Sequence, residues 1–202
     1  SLQGVWEDYE GKVQKRYLKG ARKSGGCLMI GQPPKPGDIL VFCEGYATGA
    51  TIHELTGWTV IVAFDAPNVP TVAKILREAF PQAAFVFCAD NDVWSTAGDI
   101  ENPGVHYAQR AAQATNGLVL VPQFQDVSSE PTDFNDLAAL EGDAVARAQL
   151  LDNPITGRAN VVAPVAANDN VDIYSPLVDV KSNGKPRTTI ENVQENRARM
   201  AT

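Results

Sequence analysis

Apolar stretches long enough to cross a bilayer are missing from this chain of 202 residues, so no membrane span is expected. The opening SLQGVWEDYEGKVQKRYLKG also lacks the apolar core of a secretory signal, and a cytoplasmic location is expected. Cysteine is scarce: Cys27, Cys43 and Cys88 form no CxxC, and each sits in or beside an apolar run. That argues against a disulfide scaffold and for buried thiols in a reducing compartment. Histidine is scarcer. His53 and His106 stand at no ligand spacing from a cysteine, which argues against zinc, and both fall in helical patterns where a helix-face role is expected. Without GxxxxGK[ST] there is no P-loop, and without GxSxG no nucleophile elbow. GYATGA offers only a loose G-x-x-x-G in place of a dinucleotide fingerprint. Aromatic residues make up 7% of the chain without a stacking motif, leaving Trp6, Tyr9 and Tyr17 as candidates for base contacts.

Charge is present but unevenly spread beneath the net −7. Residues 1–37 carry seven Lys or Arg against three acids, residues 38–152 four against sixteen, and residues 153–202 six against five. A uniformly acidic protein would bind nucleic acid poorly. A basic edge beside an acidic centre is compatible with holding a polyanion at one place and a cation at another.

Three regions follow from the pattern. Residues 1–37 read as a small basic, β-rich lobe: VWEDYEGKVQKRYL gives strand, turn and strand, GGCLMIG a further short strand, and QPPKPGD a firm break. Residues 38–152 alternate strands and helices. ILVFCEG, WTVIVAFD, AAFVFCADND and GLVLVP are apolar on both faces, the mark of parallel strands covered on both sides. Between them lie helical patterns at ATGATIHELTG, NVPTVAKILREAF and GVHYAQRAAQAT, and DFNDLAALEGDAVARAQLL adds a helix interrupted at Gly142. The expected fold is α/β, an open sheet of about four mainly parallel strands with flanking helices. Residues 153–202 read as an extended arm and a closing helix with a Thr188/Glu191 capping box, still in progress at the last residue, so a longer parent is expected.

Ligands in open α/β sheets gather at the carboxyl ends of the strands. Glu44, Asp65, Asp90 and Asp92 all fall there, and Asp133 and Asp136 open the helix after the fourth strand. Alternate residues of an extended segment point the same way, so Asp90 and Asp92 can face one point. Close carboxylates repel unless a cation lies between them, and Mg²⁺ or Mn²⁺ suits oxygen ligands. Removing Asp92 from the metal-free protein is then expected to relieve repulsion. Simpler readings exist for each: Glu44 as a turn residue, the Asp-x-Asp as a solvated loop, and one of Asp133 and Asp136 as a helix cap.

The segments ILVFCEGYATGATIHELTG, FVFCADND and PTDFNDLAAL resemble the motifs of the Toprim domain, most closely in primases and primase-helicases of phages, plasmids and integrated elements. The resemblance covers roughly residues 12–150, and the tail SPLVDVKSNGKPRTTIENVQENRARM is similar to the lead-in to a helicase module. It implies a DNA primase core making RNA primers from ribonucleoside triphosphates on single-stranded DNA. Glu44 matches the family's acid/base or metal-associated glutamate, Asp90 and Asp92 the metal ligands, and Asp133 or Asp136 a further acidic position. In that setting Lys15, Arg16, Lys19, Arg22 and Lys23 are expected on the nucleic-acid backbone. One departure is the segment VWSTAGDIENPG, interposed where many members pass directly to a glycine and a helix. A Toprim nuclease, using the same carboxylates to activate water, and a non-catalytic DNA-binding or replisome scaffold are the alternatives.

Overall fold

The computed structural model describes residues 23–153 throughout, together with the backbone of four short strands outside that range. Two of these, β1 (Gln3–Glu7) and β2 (Val13–Tyr17), pair antiparallel from Gln3↔Tyr17 to Glu7↔Val13.

The central sheet contains β3 (Leu28–Ile30), β4 (Ile39–Cys43), β5 (Thr59–Val62), β6 (Ala84–Cys88) and, after a small two-stranded excursion of β7 (Thr96–Ala97) and β8 (Ile100–Glu101), β9 (Leu118–Leu120). Its spatial order is β3-β5-β4-β6-β9. The four strands β5, β4, β6 and β9 run parallel, as the doubly apolar segments require. The fifth is a finding. β3, expected within the N-terminal lobe, pairs antiparallel with β5 through Met29↔Ile61 and buries Met29 and Ile30 in the core, with Cys27 just ahead of it buried as well. The sheet therefore begins before the break at residues 33–38.

Period-two alternation divides the core between the two faces. Leu40, Phe42, Ile61, Phe85 and Phe87 point to one side, packed by α2 (Val69–Ala79) and α3 (Pro103–Thr115). Phe42 lies 4.8 Å from both Phe85 and Phe87 between ring centroids. Val41, Cys43, Val60, Val62, Val86 and Cys88 point to the other side, covered by α1 (Tyr46–Thr56), α4 (Phe134–Glu141) and α5 (Asp143–Leu151). α1 stops at Gly57, whose φ of 73° suits the left-handed cap and whose amide reaches His53 O at 2.8 Å. His53 Nδ1 lies 2.7 Å from Trp58 O, a structural contact on the helix face.

At the amino ends of the strands, Arg77 lies 3.5 Å over the Phe85 ring and donates to Ala83 O and Thr115 O at 2.7 and 2.8 Å. Asn68 does comparable work elsewhere: buried, it accepts from Gly25 N and donates to Gly26 O and Ala63 O, tying the approach to β3 onto the sheet. Among the described residues no helix is long and apolar enough to cross a membrane. A further strand pair, β10 (Asp179–Val180) and β11 (Pro186–Arg187), lies in the C-terminal region, and the helix expected at 188–200 falls outside the described residues.

Candidate active site

β4 and β6 are neighbours and parallel, so the residues that follow them share one rim. Glu44 follows β4 directly, and its carbonyl accepts the Phe64 amide at 2.9 Å, joining the ends of β4 and β5. Asp90 lies two residues past β6. The last residue of β4, Cys43, is fully buried. Burial raises its thiol pKa well above the ordinary range, and the charges of Cys88, Asp90, Asp133 and Glu44 raise it further. Acids from three separate segments thus act on one buried sulfur at the end of the central strand. Burial and then Asp90 likewise push the Cys88 thiol up.

The Asp-x-Asp loop is stitched to both of its neighbours. Asn91 N donates to Thr132 O at 2.7 Å, and Asn91 Oδ1 accepts from Asn102 Nδ2 at 2.9 Å. Asp92 Oδ2 accepts the Gly104 amide at 3.2 Å, at the amino end of α3, where the helix dipole favours a negative charge. Gly104 is required by space. A Cβ there would meet Asp90 O at 2.2 Å and Asp92 Oδ2 at 3.0 Å, so only glycine lets the helix approach the loop. The interposed segment at 93–104 folds out as the β7–β8 hairpin and returns to that glycine.

Asp133 and Asp136 are engaged in structure. Asp133 caps α4, its Oδ1 accepting from Asn135 N and Asp136 N at 2.8 Å each. Asp136 Oδ2 accepts from Thr132 N at 2.9 Å and completes a capping box. The sequence left room for one cap; both acids serve it. Asp133 Oδ2 also accepts from the buried Thr48 hydroxyl at 2.6 Å, and Thr51 Oγ1 donates to Asn135 Oδ1 at 2.8 Å, which fastens α1 to α4 beside Glu44. Sequence reasoning missed Thr48, Thr51, Asn91 and Gly104, because each acts through a contact distant in the chain.

Among the described residues no three His, Cys, Asp or Glu side chains form a ready-made metal cage. Mg²⁺ does not require one: it usually keeps several waters and takes one or two carboxylates plus substrate phosphates. A pair of aspartates on a loop shaped by Gly104, with Glu44 on the adjacent strand end, fits that chemistry. Of the basic candidates, Lys23 pairs with Asp65. The side chains of Lys15, Arg16, Lys19 and Arg22, and those of Trp6, Tyr9 and Tyr17, lie outside the described residues.

Comparison with known proteins identifies the family of the fold. The chain is 34% identical over 132 residues to a DNA primase TraC of Escherichia coli, covering 64% of this chain and 9% of that protein. It is 37% identical over 112 residues to another DNA primase TraC of Escherichia coli, covering 54% of this chain and 11% of the relative. The chain therefore spans about a tenth of the length of the curated relatives it matches. No solved structure matches it. The family model for the Toprim domain, a domain that binds divalent metal ions, matches residues 39–144, from β4 to the start of α5. The chain belongs to the Toprim domain family.

Proposed function

We propose that this chain is the catalytic core of a DNA primase of a plasmid-type mobile element, joining ribonucleotides into a primer on single-stranded DNA. The observation that carries the reading is the parallel pairing of β4 with β6, which sets Glu44 and the Asp90/Asp92 loop at adjacent strand ends on the carboxyl rim of a Toprim sheet. Similarity to the TraC primases supports the choice of reaction.

In this reading Asp90 and Asp92 would hold Mg²⁺ or Mn²⁺, with Glu44 following the adjacent strand β4. A divalent ion held there would stabilise charge on the incoming nucleotide's phosphates as the 3′-hydroxyl attacks the α-phosphate and pyrophosphate leaves. Glu44 takes the proton from the attacking 3′-hydroxyl, or orients that hydroxyl, through its carboxylate oxygens. Asp133 and Asp136 keep α4 and α1 in register, and the ligand set narrows to the Asp-x-Asp pair with Glu44. Lys15, Arg16, Lys19 and Arg22 contact the template or product backbone, positioning it without reading sequence. A helicase module in the same parent chain completes the proposal.

The test is primer synthesis by the longer parent protein, with labelled ribonucleotides on a single-stranded template. Glu44→Gln should nearly abolish product with little loss of thermal stability, because the side chain stands at the rim and not in the core. Undiminished synthesis would reject the catalytic role of Glu44. Nicked template in place of primers would instead favour a nuclease.

A further inference from the structure

Five large apolar side chains are exposed among the described residues, and their placement is uneven. Leu140 lies on α4, whereas Tyr46 opens α1 just past Glu44, and Val93, Trp94 and Val127 stand on the turns and loops that follow β6 and β9. Two of them follow an acid at the same interval. Tyr46, 45% exposed, is two residues beyond Glu44, and Trp94, 46% exposed, is two residues beyond Asp92.

Backbone bonds fix Trp94 close to its aspartate. Ser95 N and Ser95 Oγ donate to Asp92 O at 3.0 and 3.4 Å, making 92–95 a tight turn with Val93 and Trp94 at its tip. Val93 N reaches back to Asn91 O at 2.8 Å, and the β7–β8 hairpin closes the excursion behind the turn. Two residues of chain keep the Cα atoms of Asp92 and Trp94 within about 7 Å of each other.

Electrostatics narrows what this surface can hold. Residues 38–152 carry four basic residues against sixteen acids, and two of the four, Arg77 and Arg147, donate to backbone carbonyls. Phosphates gain little from such a face without a cation on the carboxylates. An uncharged π surface attracts regardless of the local field, and every base has a π face to offer. A ligand that joins a flat aromatic face to a nearby phosphate is a nucleotide. A docked apolar protein segment would match the aromatics but has no use for the flanking acids.

Building on the nucleotidyl-transfer reading above, we infer that Trp94, with Tyr46 at the amino end of α1, forms a stacking platform for a nucleobase whose phosphate faces Asp90 and Asp92. That base belongs either to the DNA strand or to the incoming ribonucleotide. The VWSTAGDIENPG segment is then a functional addition to the site: it lifts an indole beside the aspartates.

The test uses the 202-residue chain with Mg²⁺ and two probes, an oligothymidylate of about 20 nucleotides and CTP. Tryptophan emission and binding affinity are read together. Emission should be quenched by at least one probe, and that quenching should disappear in Trp94→Phe, which still binds because phenylalanine stacks. Trp94→Ala should weaken binding of the same probe by roughly five- to 150-fold, with an unchanged melting temperature. A response to the oligonucleotide alone assigns the strand, and to CTP alone the incoming nucleotide. Equal binding of both probes by Trp94→Ala and wild type overturns the inference and leaves the primase reading standing. A wild-type chain that binds neither probe overturns it as well, and primer synthesis by the parent then judges the reading separately.

Discussion

Asp133 offers the sharpest separation of a structural carboxylate from a metal ligand. Replacing it with alanine removes the α4 cap, with its two bonds to Asn135 N and Asp136 N, and also the acceptor for Thr48. Cap loss costs about 1 kcal/mol. The Thr48 hydroxyl is 1% exposed, and leaving a buried donor unmet costs a further ~1–3 kcal/mol. Asp133→Ala should therefore destabilise by about 2–4 kcal/mol. Asp133→Asn behaves differently, because asparagine caps as well as aspartate and its amide can donate to the Thr48 oxygen; the loss should stay under about 1 kcal/mol. Urea unfolding gives both values. Mn²⁺ titration of Asp133→Asn completes the experiment: affinity near wild type fits a positioning role. The reasoning is refuted if Asp133→Ala is as stable as wild type, or if Asp133→Asn keeps its stability but loses the metal.

Three further outcomes follow from the same contacts. Gly104→Ala places a methyl 2.2 Å from Asp90 O, so it should cost roughly 1–3 kcal/mol and weaken Mn²⁺ binding by displacing the loop; unchanged melting and titration curves would contradict the packing. Asp92→Ala should abolish or strongly weaken Mn²⁺ binding, and in the metal-free protein it should lose up to about 1 kcal/mol, since the carboxylate's partner is the α3 amino end; a more stable metal-free variant would restore the repulsion argument. Burial raises the Cys27 thiol to about 11 from 9.0 and those of Cys43 and Cys88 as well. Their contribution to stability is thus present below pH ~9 and lost as pH rises towards the folded-state values, each thiol weighing about 1.4 kcal/mol per pH unit. Urea midpoints should fall less steeply above pH ~9 in Cys43→Ala/Cys88→Ala than in wild type, and equal slopes would refute the account.

Much of the architecture could be read from local pattern, because the strands at 39–43, 59–62 and 84–88 are apolar on both faces and the helices between them keep a helical period. β3 escaped assignment to the sheet because three residues between glycines carry no period, and its partner β5 lies some thirty residues on. The rim was legible in outline. Glu44 and Asp90 stand at adjacent strand ends, as parallel pairing demands. The work of Asp133 and Asp136 was only half legible: a D-x-x-D at a helix start suggests a capping box, but the Thr48 partner lies 85 residues away. Trp94 was invisible for a related reason. Nothing in VWSTAG distinguishes a buried indole from an exposed one, and only the turn anchored on Asp92 O decides it.

The central claim is that Glu44, Asp90 and Asp92 make one divalent-metal site. Crystals of the chain soaked in Mn²⁺, with data collected at the manganese absorption edge, test it directly. The account predicts an anomalous peak bounded by the carboxylates of these three residues, absent from Asp92→Ala crystals treated alike. A well-occupied peak elsewhere on the chain, with none between residues 44, 90 and 92, would contradict it.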